Sequence, residues 1–159
     1  MDEEKKTEYQ ESMKFGALRE LSALKIFIEQ GFTVSIPNIN ARYDFIAEKY
    51  PALIRVQVKN LILKKGDTNE EASHLTWCIR PYSMAYGKKR TYDHDDCDLV
   101  VGINLDVGTF AIVPISELIG KTEFRLSTHK DSKGKNYLDS FKAIEEFIEL
   151  HKKKLIQDN

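Results

Sequence analysis

The segment Ile54–Leu63, IRVQVKNLIL, is apolar enough to be a buried β-strand, yet it carries Gln57 and Lys59 two residues apart. Side chains alternate along a strand, so Arg55, Gln57 and Lys59 share one face while Val56 and Val58 take the other. An amide and an ammonium on such a face meet either solvent at a sheet edge, where lysine is common, or a charged partner. Two upstream carboxylates could be that partner. Asp44 opens the short apolar run YDFIAE after the polar stretch NINAR, a place where aspartate also serves as a turn or strand-start residue. Glu20 lies on a helical segment, between Leu24 and Phe27 in angular position. There it is either a rim carboxylate reaching water or one held inward for a cation. Two oxygen ligands with an amine beside them form a set that can hold a hard divalent cation and position a water next to it.

The elements that must carry these residues are readable from periodicity. Ala17, Leu21, Leu24 and Ile28 recur at helical spacing from Phe15 to Gln30, after a polar lead-in over residues 1–13, and Gly31 is placed to end the helix. Strands are expected at Phe32–Pro37, Tyr43–Glu48, Leu53–Leu63 and His74–Arg80, with KKGDTNEEAS as a surface loop and 81–97 irregular or briefly helical. DLVVGINL and FAIVPI then form a hairpin around DVGT. A short helix at SELIG, a strand at EFRLS and a closing helix with Phe141, Ile144, Ile148 and Leu155 on one stripe complete the chain. The implied fold class is α/β, a mixed β-sheet flanked by helices, in one domain over residues 1–159 with its core at about 15–150.

In order along the chain these features resemble the PD-(D/E)xK nuclease superfamily, with its helix glutamate, then an aspartate, then (Asp/Glu)-x-Lys on the next strand. Gln57 departs from that pattern. The Gln-x-Lys spelling is most similar to group I intron-encoded homing endonucleases of this type. The matching residues are Gly16 with Glu20, Gly31 and Pro37, Tyr43-Asp44, Val56-Gln57-Val58-Lys59, Tyr92 with Asp98, and the later FAIVPISEL. The resemblance implies a restriction endonuclease-like core and hydrolysis of phosphodiester bonds in double-stranded DNA. It further implies Mg²⁺ as cofactor, with Mn²⁺ as a substitute. Glu20, Asp44, Gln57 and the Val58 carbonyl would be metal ligands, and Lys59 the group that positions the attacking water. One small site per chain implies a homodimer or higher homo-oligomer for cutting both strands. A restriction enzyme or Holliday junction resolvase of the same fold, or an inactive DNA-binding domain, are the alternatives.

Other features set bounds. Lys88, Lys89 and Arg90 between Tyr86 and Tyr92 suit phosphate contacts and groove packing, or else an ordinary charged loop. The resembling family binds DNA through this region, which favours contact. The following DHDDCD offers no second His/Cys pair for zinc, so it reads as a solvated loop in which Asp98 fixes a strand start. HKKK near the C-terminus suits a helix end. No Walker, Rossmann or Gly-x-Ser-x-Gly pattern occurs. A net charge of -1 gives no global nucleic-acid signature, so any DNA surface must be local. No apolar run approaches the roughly 20 residues of a membrane span. The polar start MDEEKKTEYQ is unlike a signal peptide, and Cys78 and Cys97 form no pair motif, so a cytoplasmic location with reduced thiols is expected.

Overall fold

A computed structural model describes residues 2–64, 75–129 and 132–158. The helix α1 spans Glu3–Glu29, a proline-free run rich in Glu, Lys, Ala and Leu, which lose little side-chain freedom in a helix. Glu3 and Glu4 lie in its first turn, where negative charge favours the helix dipole. Gly31 closes it at φ +82°, a left-handed conformation that favours glycine.

Among the described residues ten strands follow: β1 Thr33–Ser35, β2 Phe45–Lys49, β3 Ala52–Asn60, β4 Ile62–Lys64, β5 Thr76–Ile79, β6 Tyr82–Ala85, β7 Lys88–Thr91, β8 Leu99–Ile103, β9 Phe110–Pro114 and β10 Phe124–Ser127. The helix α2, Lys142–Gln157, ends the fold. The main sheet has the order β1-β2-β3-β8-β9, with β3 and β8 parallel and the other neighbours antiparallel. This is the mixed sheet expected. Its interior strand β8 is buried along its whole length, as both faces are covered. Against one face lie both helices, through Ala23, Phe27, Ala143 and Ile144 on Ile54, Val56 and Val58. The opposite face meets a smaller sheet of order β10-β5-β4, through Trp77, Ile79 and Leu126 on Val100 and Val113.

Several expectations change. The single strand Leu53–Leu63 is two strands in two sheets. Leu61, fully buried, hands the chain over by donating its N–H to the Ile103 carbonyl while its own carbonyl accepts from Asn104 Nδ2. Residues 81–97 are not irregular at their start but form the β6–β7 hairpin, turned by Tyr86 and Gly87 at φ +51° and +75°, the conformation of a two-residue type I′ turn. SELIG yields only a short 3₁₀ turn at Ile115–Glu117. The α1 stripe is displaced around the helix. Ala23 and Phe27 are its buried residues, whereas Leu21 and Ile28 are 61% and 54% exposed. The loop expected at KKGDTNEEAS lies, after Lys64, outside the described residues. No described helix is long and apolar enough to cross a membrane.

Candidate active site

Strand β2 pairs with β3 from Phe45↔Val56 to Lys49↔Ala52. Just before it, Asp44 donates its N–H to the Val56 carbonyl at 2.9 Å. Its carboxylate then takes over the next part of β3: Oδ2 accepts from the Val58 N–H at 2.6 Å and from Gln57 Nε2 at 2.7 Å. A side chain has replaced the ladder partner at the strand end, so Asp44 is held to the strand that carries Gln57 and Lys59. A weaker 3.4 Å contact joins Gln57 Nε2 to the Val58 carbonyl.

The alternation predicted for β3 holds. Ile54, Val56 and Val58 are buried on the helix side, while Arg55, Gln57 and Lys59 are half-buried on the other. Lys59 Nζ donates to the Tyr82 carbonyl at 3.1 Å and lies 5.1 Å from the centroid of the Tyr92 ring. Burial lowers the pKa of Lys59, with the Asp44 charge opposing that shift. For Asp44 burial dominates and raises the pKa, against the Val58 N–H, the Lys59 charge and the Gln57 amide. Glu20 stays accessible on α1, but partial desolvation and then the Asp44 charge push its pKa up as well. Asp44 thus couples to Glu20 and to Lys59, and all four chemically apt residues converge on it.

The donor set fits a hard divalent cation. Burial raises the cost of ionising Asp44, and burial and then the Asp44 charge raise that of Glu20; a cation beside the two carboxylates would relieve both. Among the described residues no three His, Cys, Asp or Glu side chains cluster closely enough to hold a metal by themselves. The two carboxylates would therefore need the amide oxygen of Gln57 and the carbonyl of Val58 beside them, an all-oxygen set of the kind Mg²⁺ takes while keeping several waters.

The residues singled out downstream separate into two groups. Tyr86 is fully exposed at the tip of the β6–β7 hairpin, with Lys88 and Lys89 exposed behind it and Lys89 Nζ 4.8 Å from the Tyr82 ring centroid. Tyr92, expected on the same surface, is only 5% exposed, because its ring packs beneath Lys59 in the core. Arg90 points inward to Asp96, with NH1 to Oδ2 at 3.0 Å and NH2 to Oδ1 at 2.5 Å. The acidic stretch is not a solvated loop throughout. Asp96 is fully buried, and it also accepts from the Asp93 N–H at 2.9 Å and from Arg42 NH1 at 3.4 Å. Neither Asp96 nor Arg42 stood out in the sequence, since nothing in its spacing pairs them. Asp98 does fix the start of β8: its N–H reaches the Arg55 carbonyl, and its carboxylate takes the Arg55 N–H at 2.7 Å and the Arg55 guanidinium at 2.9 Å. Burial and then the neighbouring Asp96 and Asp98 push the Cys97 thiol up to about 12.

A mixed sheet flanked by helices, with Asp44 hydrogen-bonded to the strand that carries Gln57 and Lys59, is a nuclease-type fold. The chain belongs to the PD-(D/E)XK endonuclease family, whose description it matches over residues 10–145. The solved structure of a bacterial homing endonuclease, I-Ssp6803I, shares the fold with a TM-score of 0.68 at 16% sequence identity, covering 91% of this chain and 95% of that one. No curated protein matches the chain.

Proposed function

We propose that this protein is a Mg²⁺-dependent endodeoxyribonuclease of the homing type, hydrolysing phosphodiester bonds in double-stranded DNA. The observation that carries this reading is the hydrogen-bonded unit of Asp44, Gln57 and Val58 with Lys59 beside it. In it Glu20, Asp44, the Gln57 amide oxygen and the Val58 carbonyl would hold the cation, Mg²⁺ or Mn²⁺, which would supply charge stabilisation at the phosphoryl oxygens and acidify a water. Lys59 would orient the attacking water. Its ammonium is anchored on the Tyr82 carbonyl and the Tyr92 ring, and its lowered pKa brings it closer to proton exchange near neutrality. Lys88, Lys89 and Tyr86 contact the duplex from the hairpin.

Cutting both strands calls for a second copy. The large apolar residues that α1 leaves exposed next to the core, Leu18, Leu21 and Ile28, suit one. The protein would work in the cytoplasm, where the buried free thiols Cys78 and Cys97 stay reduced.

A library of randomised duplexes, incubated with the purified protein and sequenced for breaks, tests this reading. Cleavage is expected with Mg²⁺ or Mn²⁺ and not with EDTA, and Lys59→Ala should abolish it. Undiminished breakage by Lys59→Ala, or none by wild type with either metal, would overturn the assignment.

A further inference from the structure

Beside the site lies a second, differently built cleft. It has a volume of about 240 Å³ and is lined chiefly by Arg42, Gln57, Ser83, Arg90, Tyr92 and Asp96. Gln57 belongs to both places. Its amide group is hydrogen-bonded to Asp44 while its side chain forms part of the cleft wall. The charges of the lining are two guanidiniums and one carboxylate. Asp96 is fully buried, and its oxygens already accept two bonds from Arg90, one from the Asp93 N–H and one from Arg42. The lining side chains themselves thus carry one more positive than negative charge. The two arginines are also held unequally. Arg90 is fixed bidentately, whereas Arg42 makes a single 3.4 Å contact and its side chain is 61% exposed. Each guanidinium carries five N–H donors in a planar fork suited to phosphate. Arg42 gives up one of these to Asp96, and the rest can turn into the cleft.

We infer that this cleft is a phosphate subsite, in which Arg42, steered by Asp96 and backed by Arg90, binds the DNA phosphate next to the one being cut. The inference rests on the nuclease reading above and adds to it a residue that fixes the strand's register. Asp96 plays the positioning part. Buried and already saturated, it holds the arginines without cancelling them, so the contact is pre-organised rather than assembled on binding. Ser83, half-buried on β6, offers a hydroxyl to the same oxygens.

The test is equilibrium binding of a 30-base-pair duplex by the full chain in EDTA, where no strand is cut, across a range of salt concentrations. Arg42→Gln should weaken binding about tenfold and reduce the log–log salt slope by about one unit. Arg42→Lys, which keeps the charge but loses the fork, should restore the slope while leaving part of the affinity loss. In the wild type, the Nε–H resonances of Arg42 and Arg90 should shift on adding duplex, while those of Arg19 and Arg125 stay in place. An unchanged slope in Arg42→Gln, with wild type still binding duplex, would overturn the subsite and leave the nuclease reading standing. Failure of the wild type to bind duplex at all would overturn both.

Discussion

Gln57 Nε2 donates to Asp44 Oδ2 at 2.7 Å, so the residue standing where the superfamily usually has an acid is here a hydrogen-bond donor to Asp44. Two carboxylates at that separation could not both ionise without a cation between them. The amide removes the conflict. It satisfies Asp44 in the metal-free protein, while its own oxygen remains available as a neutral ligand.

Asp44 is a buried charge whose burial outweighs its partners. Its raised pKa means that its contribution to stability is present below the unfolded value of 3.8 and is lost as pH rises through the higher folded value. At pH 7 the ionised side chain is therefore a liability. Asp44→Asn keeps an oxygen for the Val58 N–H, so it should raise the melting temperature by a few degrees, roughly what 1 kcal/mol does in a chain of this size. Cleavage should vanish. Thermal melts of both proteins should converge as pH falls toward 4, and a gap that widens there would contradict this account of the shift.

Mg²⁺ should stabilise the wild type through the same carboxylate. Free metal at 100 times its dissociation constant adds about 2.7 kcal/mol, which a melting curve resolves easily. Asp44→Asn should show little of that gain. A full metal-induced shift in Asp44→Asn would move the cation elsewhere.

The basic residues of the hairpin divide by partner. Lys88 and Lys89 are exposed, so replacing both by Ala should lower the log–log salt slope of DNA binding by about two units without changing stability. Arg90→Ala instead removes two bonds from the fully buried Asp96 and should cost about 2–3 kcal/mol in urea unfolding. Equal stabilities of the Arg90→Ala and Lys88→Ala proteins would show that the Arg90–Asp96 pair contributes nothing to the fold.

The exposed stripe of α1 gives a separate expectation. Leu21→Glu should shift the protein toward monomer in sedimentation equilibrium, because it places a charge in the apolar contact between the two copies. The substitution is at an exposed position, so the melting temperature of a monomer should stay unchanged. A monomeric wild type would remove the stripe's proposed role.

How far the sequence reached depends on which interactions are local. Strand β3 was legible because alternation is a nearest-neighbour property, and it put Gln57 and Lys59 on one face. The α1 periodicity was real, but a helix with apolar residues on two sides does not say which side meets the sheet. The core took Ala23 and Phe27, and of the more regular stripe Leu24 packs against it while Ala17, Leu21 and Ile28 stay exposed. Tyr86-Gly87 lacks the Asn-Gly or Asp-Gly spelling of a type I′ turn, so the β6–β7 hairpin passed unseen. Asp96 looked like one aspartate among several. Its partner Arg42 lies 54 residues away, and only the fold brings them together.

Gln57→Glu restores the commoner spelling of the motif and tests the opening relationship directly. The two side chains are nearly isosteric, so packing on β3 should survive. Without metal, however, the donor to Asp44 is lost and two carboxylates face each other across the former hydrogen bond. One of them should then hold a proton at neutral pH, and the metal-free variant should melt lower than wild type, by several degrees if about 2 kcal/mol is lost. Mg²⁺ should bind the variant more tightly than wild type, because hard cations prefer a carboxylate to an amide oxygen. The added charge also pairs with Lys59, opposes the burial that lowers its pKa, and should move it away from proton exchange near neutrality. Tighter Mg²⁺ binding with a metal-free penalty is the expected pair of results. Calorimetric titration and melts in EDTA measure them separately, and identical Mg²⁺ affinities for the two proteins would mean that residue 57 does not touch the metal.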